Sequence, residues 1–426
     1  MAKAIFETDI SLFLPLALQW SKGFDTVCLF QSNGFHNKYS KLASLLAIGI
    51  EDEFAAQEGS VFSELEKFIS RHQNQLIPGF LSYDVKNEIE VLTTKHPNPL
   101  EFPDAYFFVP QILIEISADQ VEITAEDPSE IFQSINAIHN EIEDNRYFGK
   151  IKPRMNKEDY FSAFDHIQKH IQQGDIYEAN LCQEFYDDQA ELSSPESLYL
   201  ELNKLSPTPF SSFMKIKDKY ILSASPERFL AKRSDTIISQ PIKGTAARGK
   251  DEIEDRLLRE NLANNPKEIA ENVMIVDLVR NDLTKSAIPG SVEVTEKLGI
   301  YTFKHVHQMI STVSCKMNPK ISSTEVIRNT FPAGSMTGAP KISAMKLCDQ
   351  YETSRRGVYS GAIGYFSADG DFDFNVVIRT ILYNKSKNYL SFHTGSAITI
   401  DANAAYEFEE CYTKASAILK ALEQKL

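Results

Sequence analysis

The sequence predicts an α+β fold built on antiparallel sheets. Three observations carry this. Strand-like and helix-like segments fall in blocks rather than alternating, hairpins dominate the second half, and 426 residues suffice for two lobes around one large core or for two domains. Along the chain, DTVCLF (25–30) and DAYFFVPQILIEIS (104–117) read as strands and residues 51–71 as one helix. The apolar LFLPLAL (12–18) reads as a core segment, because acidic Glu7 and Asp9 precede it where a leader would carry basic residues. The polar stretch EDNRYFGKIKPRMNKEDY (143–160) reads as the link between an N-terminal region, 1–145, and a second region, 150–424. A helix over 157–173 follows: Asn156 caps it, Phe161, Phe164, Ile167 and Ile171 repeat at helical spacing, and Gly174 ends it. IYEANLCQEF (176–185) and FSSFMKIKDKYILSAS (210–225) read as strands, 225–245 as a hairpin, and 251–263, 266–282 and 322–330 as helices. Asp369-Gly370, inside GAIGYFSADGDFDFNVVIRTILYN, marks a further hairpin turn, and a last helix covers 404–423.

Composition narrows the function classes. A net charge of −15 opposes nucleic-acid and anionic-membrane partners, which require a basic surface. An anionic small substrate would then need local cations or a metal. Five cysteines, scattered singly and odd in number, indicate a reduced, cytoplasmic chain. No run is long enough to span a bilayer.

Four constellations can carry chemistry. In SPERFLAKRSDTIISQPIKG (225–244), a turn centred on Asp235 makes Glu227 and Lys243 equidistant from it and directly opposed, with Cβ atoms about 5 Å apart. They form either a solvated cross-strand ion pair or a carboxylate and an amine sharing one site; the neighbouring Gly244 permits close backbone approach by a ligand. Glu268 and Glu271, after Pro266, and Glu407 and Glu410, after Asn403, each lie three apart on one helix face, which Lys414 extends in the second case. They are either first-turn acids complementing the helix dipole or oxygen ligands for Mg²⁺. Arg379, alternating with Val377 and Ile381 on an apolar strand, needs an anion: a structural carboxylate or that of a substrate. The loop FPAGSMTGAPK (331–341), with Thr337 and Lys341, is either a plain turn or an anion nest. His305 and His307 point opposite ways on a strand and read as structural.

SPERF, PIKGT, AENVMIVDLVRND, GSMTGAPK, RRGVYSGAIGYF, VIRT, HTGSAI and AYEFEECYTKA, in this order over 175–420, resemble the chorismate-utilising enzymes. The resemblance implies two lobes of antiparallel β-sheet packed together with helices outside, and chorismate as substrate. It implies Mg²⁺ on Glu271 and Glu410, with Glu268 and Glu407 as outer partners. It implies Arg379 and Tyr365 as a clamp on the enolpyruvyl carboxylate, and Gly395, Lys414 and Thr337 as further anion-binding positions. Lys243 stands where the anthranilate synthases, which aminate chorismate at C2, typically carry Ala. Members that aminate at C4 carry Lys there, as a nucleophile at C2, and Glu227 would then protonate the departing C4 hydroxyl. Attack requires a neutral amine, so Lys243 is expected to have a depressed pKa, from burial or from nearby cations such as Mg²⁺ and Arg379.

Glu178 occupies the position of the activating Lys of water-using members, which argues against water as the nucleophile. The family's V-x-H-L-x-S segment reads VHQMIS (306–311) here, with Gln308 in the histidine slot and His307 one place earlier. No Cys lies in a G-x-C-x-G setting, so ammonia is expected from a separate glutamine amidotransferase subunit or from solution. An anthranilate synthase component I is the nearest rival. A non-catalytic chorismate-binding protein is the rival from another class, and the intact Glu227, Lys243 and glutamate pairs speak against it.

Overall fold

The computed structural model describes residues 1–56, 59–90, 92–117, 119–138 and 146–425. Two large sheets, of 12 and 10 strands, carry the fold. Their ladders are antiparallel throughout the described residues. The inner faces meet over one apolar core to which the first sheet gives Cys28, Met214, Ile221 and Leu382, and the second Phe80, Phe107, Ile237 and Phe374. Strand alternation turns the other face of the first sheet outward: Val27, Leu29, Phe213 and Phe392 meet Phe13 and Leu18 of helix Ile10–Trp20, Tyr199 of helix Pro195–Leu205 and Ile418 of helix Ala404–Ala421. This is the α+β, two-lobed, helices-outside architecture expected from the sequence. No helix among the described residues is long and apolar enough to cross a membrane.

Strands from both sides of residues 145–150 share both sheets. Thr26–Gln31 pairs with Phe210–Ile216 in the first, and Ile77–Leu81 with Ala362–Phe366 in the second. Part of the linking segment, 143–145, lies outside the described residues.

Local chemistry sets most element ends. Asn156 caps Lys157–Gln173 by accepting from the Asp159 N–H, and Gly174 closes it at φ 84°. Asn265 caps Pro266–Thr284, with Pro266 at its first position, and Asn403 caps Ala404–Ala421. Gly370, at φ 80°, turns Ala362–Phe366 into Phe372–Val376. One expectation fails: residues 51–71 are not one helix but a strand, Asp52–Ala56, and a helix, Val61–Arg71. Phe54 and Ala56 are buried at period two, and pairing with Ala105–Val109 overrides any helical preference there.

Candidate active site

The site lies where the ends of the two sheets meet. Strand Glu178–Asp187 of the first sheet begins with Glu178, which is wholly buried. Strand Ile242–Ala247 of the second carries Lys243, whose side chain is 11% exposed. Lys243 Nζ donates to Glu178 Oε1 at 2.8 Å, joining the two sheets by an ion pair, while Glu178 Oε2 has no hydrogen-bond partner among the described residues. Burial alone would lower the lysine pKa, but Glu178 and then Glu271 outweigh it and hold the ammonium above its ordinary range. This corrects the expected depression: the nearest charges are carboxylates, not cations.

Glu227 is buried just before strand Arg228–Arg233. Burial pushes its carboxyl up to about 7, against the opposing pull of Ser335, Lys243, the Ile242 N–H and Arg379. The expected direct opposition of Glu227 and Lys243 across a hairpin does not form. A β-bulge between Arg228 and Ala231 sets Arg228 opposite Gln240, and beyond Pro241 the chain leaves this ladder to pair Ile242–Ala247 with Val306–Lys316. The two groups share one electrostatic site by tertiary packing, not by register.

Arg379 also departs from expectation. It lies on neither strand but in the bend between Phe372–Val376 and Thr380–Asn384, at φ 51°. A non-glycine residue held there costs free energy and marks a position that the surroundings enforce. Its guanidinium makes no hydrogen bond or ion pair with any described side chain. Burial lowers its pKa and Glu227 opposes that shift. An underpaired, largely buried guanidinium beside a cleft suits a carboxylate supplied from outside.

The two glutamate pairs face each other on Pro266–Thr284 and Ala404–Ala421. The Ser396 hydroxyl sits between the carboxylates of Glu407 and Glu410. Lys267 Nζ reaches 3.4 Å from Glu407 Oε1 and 3.8 Å from Glu271 Oε1; Lys414 Nζ is 3.4 Å from Glu410 Oε1 and donates to the Gly395 carbonyl at 2.9 Å. Burial pushes the carboxyl of Glu271 up to about 7, and raises those of Glu268 and Glu407. Burial works the same way on Glu410, where Lys414 and Ser396 outweigh it. No three metal-ligating groups among the described residues stand close enough to enclose an ion as they are placed. The donor set nevertheless fits one chemically: the donors are hard carboxylate oxygens brought together from two helices, and Glu271 Oε1 is a buried acceptor without a hydrogen bond among the described residues.

The glycines shape the cleft. A Cβ on Gly395 would meet Cys182 Sγ at 2.6 Å, and Gly244, at φ 89°, brings its backbone against Glu268 Oε2, 3.1 Å from where a Cβ would stand. In the loop, Thr337 donates its hydroxyl to the Gly334 carbonyl at 3.1 Å and its own carbonyl accepts from the Asn180 N–H at 2.9 Å. Lys341 is not free for an anion: it is folded beneath the loop onto Asp282 and the Thr330 and Pro332 carbonyls. Nor does the structure bring Tyr365 to Arg379. The ring is buried against Phe30, and its charged neighbours are Asp373, Arg233 and Arg228. His307 is held between Thr302 and Asp255, at 3.0 Å from each, while the Gln308 amide oxygen is buried without a partner among the described residues. Sequence reasoning did not find Lys267 or the pairing of Glu178 with Lys243; the latter joins residues 65 apart with no local pattern between them.

The fold and site define a chorismate binding enzyme. Residues 26–420 match that family, and the chain belongs to it. Over 399 residues, 87% of this chain and 84% of the relative, it is 30% identical to the aminodeoxychorismate synthase component 1 of Bacillus subtilis. It is 39% identical over 273 residues, 64% of this chain, to the protein of the same name from Klebsiella aerogenes, of whose length it spans only 59%. The crystal structure of anthranilate synthase component I from Streptococcus pneumoniae superposes with a TM-score of 0.77 at 25% identity, covering 90% of this chain and 95% of that one.

Proposed function

We propose that the chain is the chorismate-converting component of an aminodeoxychorismate synthase, forming 4-amino-4-deoxychorismate from chorismate and ammonia for p-aminobenzoate and folate biosynthesis. The observation that carries this is Lys243: a buried amine where the two sheets meet, 2.8 Å from Glu178 and under the electrostatic influence of Glu227 and Glu271.

The residues take the following parts. Arg379 binds the enolpyruvyl carboxylate with its unused fork. Gly244, Gly395, Thr337 and Lys414 complete the substrate seat. Glu271 and Glu410, with Glu268 and Glu407 outside them, would hold Mg²⁺, which neutralises and orients the ring carboxylate. Lys243 passes its proton to Glu178, and the neutral amine attacks C2. Both ring double bonds shift, carrying the electron pair round C1, C6 and C5, and the C4 hydroxyl departs as water with the proton of Glu227, which burial keeps available near neutrality. Ammonia then bonds to C4, both double bonds shift back, and the C2–N bond breaks to release Lys243. Ammonia comes from a glutamine amidotransferase subunit; the "component 1" in the relatives' names supports a second component. The five cysteines are buried free thiols, which supports a reducing, cytoplasmic setting.

Mass spectrometry of the product from chorismate, Mg²⁺ and ammonium tests the reading. Aminodeoxychorismate without released pyruvate is expected. Anthranilate with pyruvate would make the chain an anthranilate synthase component instead, and chorismate binding without turnover would make it a non-catalytic binding protein.

A further inference from the structure

We propose that Lys267 is a built-in counter-ion of the glutamate cluster, holding the seat of the divalent cation and leaving it when that cation binds. The inference rests on the metal reading above and concerns a residue which that reading leaves without a part.

Lys267 is oddly placed for a cation. It follows Pro266 in the first turn of Pro266–Thr284, where the helix dipole disfavours positive charge. Its backbone N–H is taken by the cap residue Asn265, at 3.0 Å. Its side chain, though 41% exposed, is turned back onto the cluster. It reaches across to the other helix, to Glu407 at 3.4 Å, and back to Glu271 one turn on, at 3.8 Å, with the ammonium 5.6 Å from the Tyr406 ring centroid. It therefore bridges two carboxylates that belong to opposite helices, which is the work a shared metal ion would do. Of the other cations nearby, Lys243 is held by Glu178, and Lys414 stays on its own helix with Glu410 and on the Gly395 carbonyl, so neither spans the two helices. Lys267 differs from Lys243 in freedom to move, its side chain being 41% exposed against 11%. A divalent ion on Glu271 would repel the ammonium, and a long exposed stem gives it a route to water.

Calorimetric titration of the full chain with MgCl2, without chorismate, reads this directly. Lys267→Met should bind Mg²⁺ about tenfold more tightly than the wild type, equivalent to ~1.4 kcal/mol, and Lys267→Arg should bind like the wild type. In EDTA the Met variant should melt at a lower temperature than the wild type, and Mg²⁺ should raise its Tm by more. If Lys267→Met does not fold, Lys267→Gln carries the same expectations. Unchanged or weaker Mg²⁺ binding by a folded neutral variant overturns the role of Lys267 and leaves the metal reading standing. Absence of Mg²⁺ binding in wild type and variants alike overturns both.

Discussion

The loop 331–341 and the cleft beside it bury positive charge in two different ways. Against the loop, Arg356 donates to Glu352, to the Met336 and Asn180 carbonyls and to Ser360, and lies 4.6 Å over the Tyr83 ring. Lys341 is likewise surrounded, by Asp282 and two carbonyls. In the cleft, Lys243 has one hydrogen-bond partner and Arg379 no side-chain partner among the described residues, while Glu178 Oε2, Glu271 Oε1 and Gln308 Oε1 are buried with none. A satisfied buried charge specifies shape: Arg356 ties the loop to strand Glu178–Asp187 and so positions Glu178. An unsatisfied one costs free energy that a bound anion or cation can recover. The contrast is one between buried cations: Arg356 and Lys341 are fully engaged by the protein, Arg379 is not.

The largest effect should come from the cleft. Lys243→Ala should lower C4 amination by at least about 10³-fold, as loss of a covalent nucleophile does, and divert what remains toward amination at C2. Product analysis at matched protein concentration checks both, and full aminodeoxychorismate formation by the variant would remove Lys243 from the chemistry.

Next comes the direct test of scaffold against site. Arg356→Met should cost ~3–5 kcal/mol of stability, because it strands Glu352 and two carbonyls in the interior. Arg379→Met should cost under ~1 kcal/mol, since it strands no protein partner, yet raise the KM for chorismate by about 100-fold. Denaturant midpoints and steady-state kinetics on the two variants decide it; equal stability losses would break the distinction drawn here.

The smallest effect is one of pH. Glu227 must carry its proton to act as an acid, and its carboxyl titrates at about 7. On its alkaline side, activity should therefore fall about tenfold per pH unit above that value. In Glu227→Gln the residual rate should lose this limb; a limb that survives belongs to another group.

Much of the frame was legible in the sequence because its causes are local. Asn156 and Gly174, Asn265 with Pro266, and Asn403 act on backbone groups within a turn of themselves, and Asp369-Gly370 needs only its own dihedral angles. The residue types of the site were legible too: Glu227, Lys243, Arg379 and the glutamate pairs stand in recognisable segments. Their relations were not. The hairpin turns at Ser234-Asp235, with Arg233 facing Thr236, and this offset together with the bulge beyond it removed the expected pairing of Glu227 with Lys243, while the left-handed bend at Arg379 has no glycine to announce it.

By itself, then, the sequence determined which side chains are present and where helices and turns begin and end, since caps, spacing and turn dihedrals are set by near neighbours. Only the tertiary structure decided which charges meet. Glu178 joins Lys243 across 65 residues and Lys267 joins Glu407 across 140, because these contacts exist only once two sheets and two helices have packed and excluded the water that would otherwise solvate each charge alone.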